Sequence, residues 1–279
     1  MKKWGVISKF DYFPRFEFLS DYLKSTHSFE NEFKALNCEV ESFFESLEEW
    51  KKEFDQFRVG APFGSVLAES LDLSNAVTLT LKTADCLHHL DSRWWPRSLM
   101  DECLLRSIIK KELSIDIHNS AMIIGTGAAA KACVMSLIKL GFKEISFTDT
   151  NTEAGYEFVS QLKGRVFGAN FNFIEQRDIA LLPGVFSLAI NTTPDMSENT
   201  LVDDLSFFNY LRHEGIVVDL SVNTSKTKFI KQAELVTSQV LHGVDVASFV
   251  DAHWVEMCFD IELNESEYKT ELTKFLSAH

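Results

Sequence analysis

Long apolar runs are missing from this chain. No uninterrupted hydrophobic stretch among its 279 residues approaches the roughly 20 that a membrane-spanning helix needs. The opening segment, Met1-Lys2-Lys3-Trp4, carries neither a long apolar core nor a cleavage signal, so the expectation is a soluble, cytoplasmic protein. Paired cysteines are missing too. Cys38, Cys86, Cys103, Cys133 and Cys258 are scattered and odd in number, with no C-x-x-C pair, which argues against a disulfide framework or a zinc knuckle. Basic charge is scarce: 27 Lys and Arg face 41 Asp and Glu, for a net charge of −14. Such a surface repels phosphate backbones and anionic headgroups, so neither nucleic acid nor membrane is expected as a partner. Glycine and proline are few, at 12 and 5, and no repeat or low-complexity linker interrupts the chain.

What is present is enough apolar material for ordinary cores, 46% of residues with 24 Phe, and a length that fits two modest domains. In the first half, 4–7 reads as a strand. Residues 41–54 place Phe43, Phe44, Leu47, Trp50 and Phe54 at helical spacing; the acidic residues among them form a solvated face. Residues 57–61 and 76–81 read as strands with a short helix over 65–71 between them. Arg93-Trp94-Trp95-Pro96 breaks the pattern. Ser98 is then a good N-cap, Asp101 completes a capping box, and the helix that follows to about 113 connects two domains. After it the alternation is regular: strand 120–124, helix 127–140 closed by Gly141, strand 144–148, helix 152–162, strands 171–174, 185–190 and 216–220. Two helices follow, over 244–259 and 265–276. Strands separated by helices imply parallel pairing through right-handed crossovers.

The sharpest local signal follows Ala121-Met122-Ile123-Ile124, where the chain reads Gly125-Thr126-Gly127-Ala128-Ala129-Ala130 and enters a helix. The first glycine permits a tight strand-to-helix turn, the second lets backbone approach a pyrophosphate, and the small Ala130 lets helix and strand pack closely. The helix N-terminus offers amides to phosphate. Asp149 ends the next strand 24 positions beyond Gly125, near the spacing of a ribose hydroxyl ligand. Its charge disfavours a 2′-phosphate, and Thr150 follows it rather than an Arg, so NAD is favoured over NADP. Two plainer readings stay open: a turn that binds nothing, and Asp149 as a cap for the helix near Thr152.

Together with these residues, the second half resembles the shikimate/quinate dehydrogenase family. That family's G-A-G-G-A-A turn is matched at Gly125 to Ala130 with two substitutions, and its N-A-T-P segment at Asn191-Thr192-Thr193-Pro194. An apolar strand ending in Asp corresponds to Val217-Val218-Asp219-Leu220, a T-x-L-L helix start to Thr227-Lys228-Phe229-Ile230, and a glycine before the closing helix to Gly243. The resemblance implies an α/β protein of two domains: a substrate domain over 1–100 with 245–279, and a Rossmann NAD(P)-binding domain over 101–244. The final helices would return to the first domain, and the active site would lie in the cleft. It also implies a small polar, cyclic hydroxy acid as substrate, and cofactor contacts from Gly125, Thr126, Gly127, Ala128, Ala129, Asp149, Thr150, Asn191, Thr192, Thr193 and Gly243.

The first half departs from the family. Its S-x-S-P carboxylate anchor falls on Asp11-Tyr12-Phe13-Pro14, and the lysine ending V-T-x-P-x-K falls on Gly64. A-V-N-T-L falls on Thr83-Ala84-Asp85-Cys86-Leu87 and N-T-D on Leu99-Met100-Asp101, which leaves Asp85 and Asp101 as candidate catalytic carboxylates. The family's strand-end tyrosine is Val222 and its closing-helix glutamine is Ser248. Moving a hydride to or from an alcohol carbon needs a group for the hydroxyl proton, and a glycine supplies none. The resemblance therefore implies a dehydrogenase with another acid/base group and another substrate, or a catalytically silent nucleotide-binding protein.

Three further clusters carry chemistry. His88-His89-Leu90-Asp91 offers metal-ligand types, but adjacent strand residues face opposite ways; a polar strand end, or one histidine as a replacement acid/base, is the better reading. Arg93-Trp94-Trp95 reads as a hold for an anionic substrate or as aromatic packing. Asp251 and His253, two apart on a helix, do not face each other and make a poor dyad.

Overall fold

The computed structural model describes residues 1–10, 13–70, 76–194, 200–222 and 226–278. Asp11 and Tyr12, on which the carboxylate-anchor comparison fell, lie outside the described residues. The chain forms two compact units, Met1–Leu99 with Asp251–Ala278, and Met100–Val250.

In unit 1, β1 (Lys2–Ile7) leads through α1 (Phe13–His27) to β2 (Asn31–Leu36), then through α2 (Phe43–Trp50) to β3 (Gln56–Val59). After α3 (Phe63–Ser70) and α4 (Ala76–Leu81), the antiparallel pair β4 (Cys86–Leu90) and β5 (Arg93–Arg97) completes the sheet. Its order is β2-β1-β3-β4-β5, with β1 parallel to β2 and β3 and β4 antiparallel to β3. The period-two rule sorts side chains to two faces. Ile7, Phe57, Val59 and Leu87 pack with Phe43, Leu47, Phe63 and Leu67 of the helices on one side. Trp4, Arg58, Cys86 and His88 occupy the other face, also buried.

Several expectations for this half need correction. Residues 76–81 are helical, not a strand: Thr78 and Leu81 are buried while Leu79 is exposed, which is the i, i+3 spacing of a helix face. The Arg93–Pro96 stretch is not a break but β5. Pro96 is tolerated because β5 is an edge strand, where a missing N–H costs no ladder bond. Asp91 and Ser92, with φ of 52° and 60°, make the hairpin turn. The α1–β2 segment gave no clear signal in sequence; α1 buries Phe16, Leu19, Ser20, Tyr22 and Leu23, so a serine stands within its apolar face.

Unit 2 opens with α5 (Met100–Lys110) and continues as β6 (Ser120–Ile124), α6 (Ala128–Leu140), β7 (Glu144–Thr148), α7 (Thr152–Arg165) and β8 (Asn170–Phe173). A 3-10 turn, Gln176–Leu181, precedes β9 (Phe186–Asn191), α8 (Thr200–Leu205), β10 (Leu211–Asp219), α9 (Lys228–Ala233) and β11 (Val240–Leu241). The sheet is wholly parallel in the order β11-β10-β9-β6-β7-β8. The central strands are mostly apolar, as burial on both faces demands: every residue of β9 is buried, Ser187 and Asn191 included. Strand order reverses between β6 and β9, the switch point at which such sheets bind ligands. Gly141, at φ +110°, closes α6.

The last two helices are α10 (Gly243–Phe259) and α11 (Glu265–Ala278). From Asp251 onward they belong to unit 1, as the resemblance implied for the closing helices. Trp254 packs at a tilt against Trp4 with ring centroids 4.9 Å apart, and Phe275 stacks on Phe18 at 4.9 Å. A charged cluster ties them in. Asp251, fully buried, accepts from Arg15 Nε and Nη2 at 2.8 and 2.5 Å and from the Tyr268 hydroxyl at 2.9 Å. Arg58 Nη1 lies 3.6 Å from the same carboxylate. Burial first, and Asp251 second, push the Tyr268 hydroxyl's pKa well up, so it stays a donor. Asp251→Asn should therefore destabilise the protein by about 3–5 kcal/mol, the usual cost of stranding buried cations, measured by urea unfolding.

Candidate nucleotide site

At the carboxyl edge of the unit 2 sheet, two strand ends meet so closely that only backbone fits. Gly125 has φ +101°, and a Cβ there would stand 2.6 Å from Thr192 Oγ1 and 3.0 Å from Thr193 Cγ2. The Gly125 N–H donates to the Thr148 carbonyl at 2.8 Å, while the Thr192 amide and hydroxyl donate to the Ile124 carbonyl at 2.9 and 2.7 Å. The turn is thus pinned to β7 on one side and to the β9 end on the other.

Gly127 is a different kind of glycine. It is exposed, its φ of −83° suits any residue, and nothing stands within 4 Å of the Cβ it lacks. Neither backbone strain nor packing asks for glycine here, so the open space in front of it is the observation that fits a pyrophosphate. It is also the N-cap of α6 and supplies no side-chain oxygen to the first amides; α7 by contrast is capped by Asn151. Ala130 is buried, and Ala128 and Ala129 are half-buried in the first turn.

Asp149 is half-buried at the end of β7. Its Oδ2 accepts from the Thr126 hydroxyl at 2.7 Å, and its Oδ1 from the Asn151 amide at 3.2 Å and the exposed Thr150 hydroxyl at 3.3 Å. The cap of α7 is Asn151, which accepts from the Ala154 amide at 3.0 Å. Asp149 is therefore not the helix cap, and Thr126 joins the carboxylate to the glycine turn.

Asn191, Thr192 and Thr193 continue the edge. Asn191 is buried, donates to Asp219 Oδ1 at 3.1 Å, and accepts from the Thr193 amide and hydroxyl at 3.1 and 2.7 Å. Asp219 also accepts from the Ser221 amide at 3.0 Å and from the Thr227 hydroxyl. Thr227 caps α9 by accepting from the Ile230 amide at 3.2 Å. Sequence marked Asp219 only as a strand end; here it is the hub that fixes the β9 and β10 ends. Gly243 is glycine for packing: a Cβ there would sit 2.0 Å from the Ser221 carbonyl oxygen. Ser248 is buried and donates to the Asp245 carbonyl within its own helix at 3.0 Å.

The two candidate catalytic carboxylates part company. Asp101, buried in the first turn of α5, accepts from Lys139 Nζ at 2.9 Å, and its carbonyl from Ser136 Oγ at 2.6 Å. Lys139 lies 11 residues into α6 from Ala128, about 16 Å along the axis. Because β6 and β7 are parallel, that end of α6 is at the amino edge of the sheet, opposite the glycine turn. This placement gives Asp101 a structural task, tying α5 to α6, and offers nothing for proton transfer beside the turn. Asp85 stands in unit 1 at the start of β4, next to the ends of the parallel strands, with both oxygens 3.0 Å from the Leu99 amide. Gly64, in the lysine's place, lies buried in α3, its carbonyl accepting from the Ala84 amide at 3.1 Å.

His88 is buried and His89 exposed, on opposite faces of β4. The His88 ring contacts Gln56 Oε1 at 3.1 Å and Cys258 Sγ at 3.5 Å, both through Nδ1. Burial, with Arg97 beside it, lowers its pKa. Among the described residues no group of three or more His, Cys, Asp or Glu side chains is arranged to hold a metal.

No family model matches the chain. Its sequence is similar to the shikimate dehydrogenase (NADP(+)) of Caldicellulosiruptor saccharolyticus, 28% identical over 167 residues, covering 59% of this chain and 58% of that protein. A second shikimate dehydrogenase (NADP(+)), from Caldicellulosiruptor bescii, is 26% identical over 236 residues, covering 80% and 77% of the two chains. The fold matches quinate dehydrogenase from Corynebacterium glutamicum, solved in complex with NAD, at a TM-score of 0.81 over 98% of this chain and 99% of that one, with 12% identity. The chain is thus similar to the shikimate/quinate dehydrogenases in sequence and in fold. The α/β architecture of those proteins is kept.

The contrast between the glycines is testable. Gly127→Val should leave thermal stability within about 0.5 kcal/mol, as surface changes do, yet abolish NAD and NADP binding in a fluorescence titration. Gly243→Ala should lower the melting temperature by several degrees, because Ser221 must move.

Proposed function

We propose that this chain is an NAD(P)-dependent oxidoreductase acting on a small polar hydroxy acid, and that shikimate is not turned over at the rate of an ordinary enzyme. The observation that carries the reading is Gly127, an unstrained glycine facing open space at the head of α6. A bound nicotinamide cofactor would supply the hydride acceptor or donor. The chain's own part is to seat the pyrophosphate on the α6 amides, to keep side chains clear of it at Gly125 and Gly127, and to present Asp149 to the adenosine ribose.

Asp149 also sets the proposed cofactor preference. A carboxylate held in place by Thr126 accepts from two ribose hydroxyls and repels a 2′-phosphate. The similar curated proteins are NADP(+) enzymes; here NAD is the better fit, with no Arg at position 150. Asp149→Ala should weaken NAD roughly tenfold or more and NADP less, the loss expected for a hydrogen bond to a charged group. Thr126→Val should show the same bias more weakly. Calorimetric titration of both nucleotides checks this, and equal wild-type affinities left unchanged by Asp149→Ala would refute the ribose role.

The proton side of the reaction is altered. Gly64 has no side chain to exchange a proton, and Asp101 is committed to Lys139. Asp85 is the carboxylate that stays at the unit 1 edge and is the proposed acid/base candidate. Anchoring of a substrate carboxylate by serine is also lost at Phe13. Steady-state assays with shikimate and quinate, with either nucleotide and across pH, should give turnover at least a hundredfold below about ten per second. A second reading, a nucleotide-binding protein without catalysis, is favoured by Gly64 alone; nucleotide binding with no turnover across alicyclic hydroxy acids would support it.

A further inference from the structure

Among the described residues, one face of the unit 1 sheet carries a guanidinium with no carboxylate partner. The register pairs Arg58 on β3 with Cys86 on β4, and Cys86 with Arg97 on β5, so the two arginines flank Cys86 in one row across three strands. The row lies where the parallel strands β1 and β3 end, since Arg58 pairs with Val6 near the end of β1.

Arg58 is tied into the fold, although its buried Nη1 has no hydrogen-bond partner among the described residues. Its Nε donates to the Asp85 carbonyl at 3.2 Å, its Nη1 lies 3.6 Å from Asp251, and its guanidinium sits over the Phe16 and Trp254 rings. Asp251 in turn is gripped by Arg15. Arg97 is different. It is half-buried, and its guanidinium carbon lies 5.5 Å from the centre of the Trp95 ring. Among the described residues it has no ion pair or side-chain hydrogen bond. Asp85, close by in the sheet, directs both carboxylate oxygens to the Leu99 amide instead. A half-buried guanidinium with no carboxylate partner among the described residues keeps its N–H fork available to a ligand.

We propose that Arg97 is the anchor for the carboxylate of a small organic acid, bound at the carboxyl edge of the unit 1 sheet. This rests on the oxidoreductase reading above and names the group by which its substrate is held. The planar fork of a guanidinium matches a carboxylate through two parallel N–H···O bonds, and the ring of Trp95 lies beside that fork, favouring one plane for it. The anchor takes the place of the serines that the resemblance led one to expect at the head of α1.

The test uses the full-length chain and a panel of glycolate, lactate, shikimate and quinate, each beside its methyl ester, titrated calorimetrically with and without NAD. The wild type should bind at least one acid more tightly than its ester. Arg97→Met should weaken that acid about ten- to a hundredfold, the worth of charge-assisted hydrogen bonds, while leaving its ester and NAD unchanged. Arg97→Lys, which keeps the charge but not the fork, should fall between. Urea unfolding of each variant checks that the fold is intact. An acid affinity unchanged in Arg97→Met, or equal loss of acid and ester, would overturn the anchor. So would a wild type that binds NAD but none of the acids. A wild type that binds acids through Arg97 but no nucleotide would instead overturn the oxidoreductase reading and leave the anchor standing.

Discussion

Two strand ends in unit 2 approach within the thickness of a backbone, and the candidate site follows from that contact. With Thr192 and Thr193 against the missing side chain of Gly125, β6 and β9 end at the same level. The helix that leaves β6 then starts at the switch point. Any side chain at Gly125 would collide with Thr192 and require a backbone conformation that L-residues seldom adopt. Asn191, Asp219 and Thr227 extend the same constraint sideways, one hydrogen bond fixing the β9 end to the β10 end and the next fixing the β10 end to the cap of α9. The geometry is held by backbone and short polar side chains, the economical way to leave room for a phosphate.

Unit 1 relies on a different device. One sheet face is an ordinary apolar layer, while the other buries Arg58, His88 and Gln56 against helices that arrive from both ends of the chain. Burying charge in this way is seldom the most stabilising choice. What it gives is direction: a carboxylate gripped by Arg15, Tyr268 and Arg58 admits few alternative seatings of α1, α10 and α11. Arg97, on the same face but outside that grip, is the odd cation out.

The glycine turn, Asp149 and the strand-end polar network form one continuous set of hydrogen bonds at the carboxyl edge of the unit 2 sheet. Gly64 and Ser248 are buried within helices, where neither offers a group for proton exchange beside that edge.

Much of unit 2 was legible in the sequence because its signals are local. A fully buried parallel strand is an apolar run, a tight turn demands glycine, and a crossover helix ends at Gly141; each is a property of a few consecutive residues. Unit 1 was less legible for the complementary reason. Residues 76–81 alternate apolar and polar like a strand, yet fold as a helix, since what buries Thr78 and Leu81 together comes from elsewhere in the chain. Pro96 reads as a break until the sheet order shows β5 at its edge. Sequence placed Asp101 beside the chemistry by alignment alone, and only packing showed its carboxylate turned toward Lys139 at the far end of α6. Likewise no pattern along the chain links Arg15 to Asp251, 236 residues apart, or sets Arg97 in line with Arg58. Composition and spacing determined the class of fold and the place of the nucleotide turn. Tertiary structure decided which charges are paired, because pairing depends on distances that the order of residues does not record.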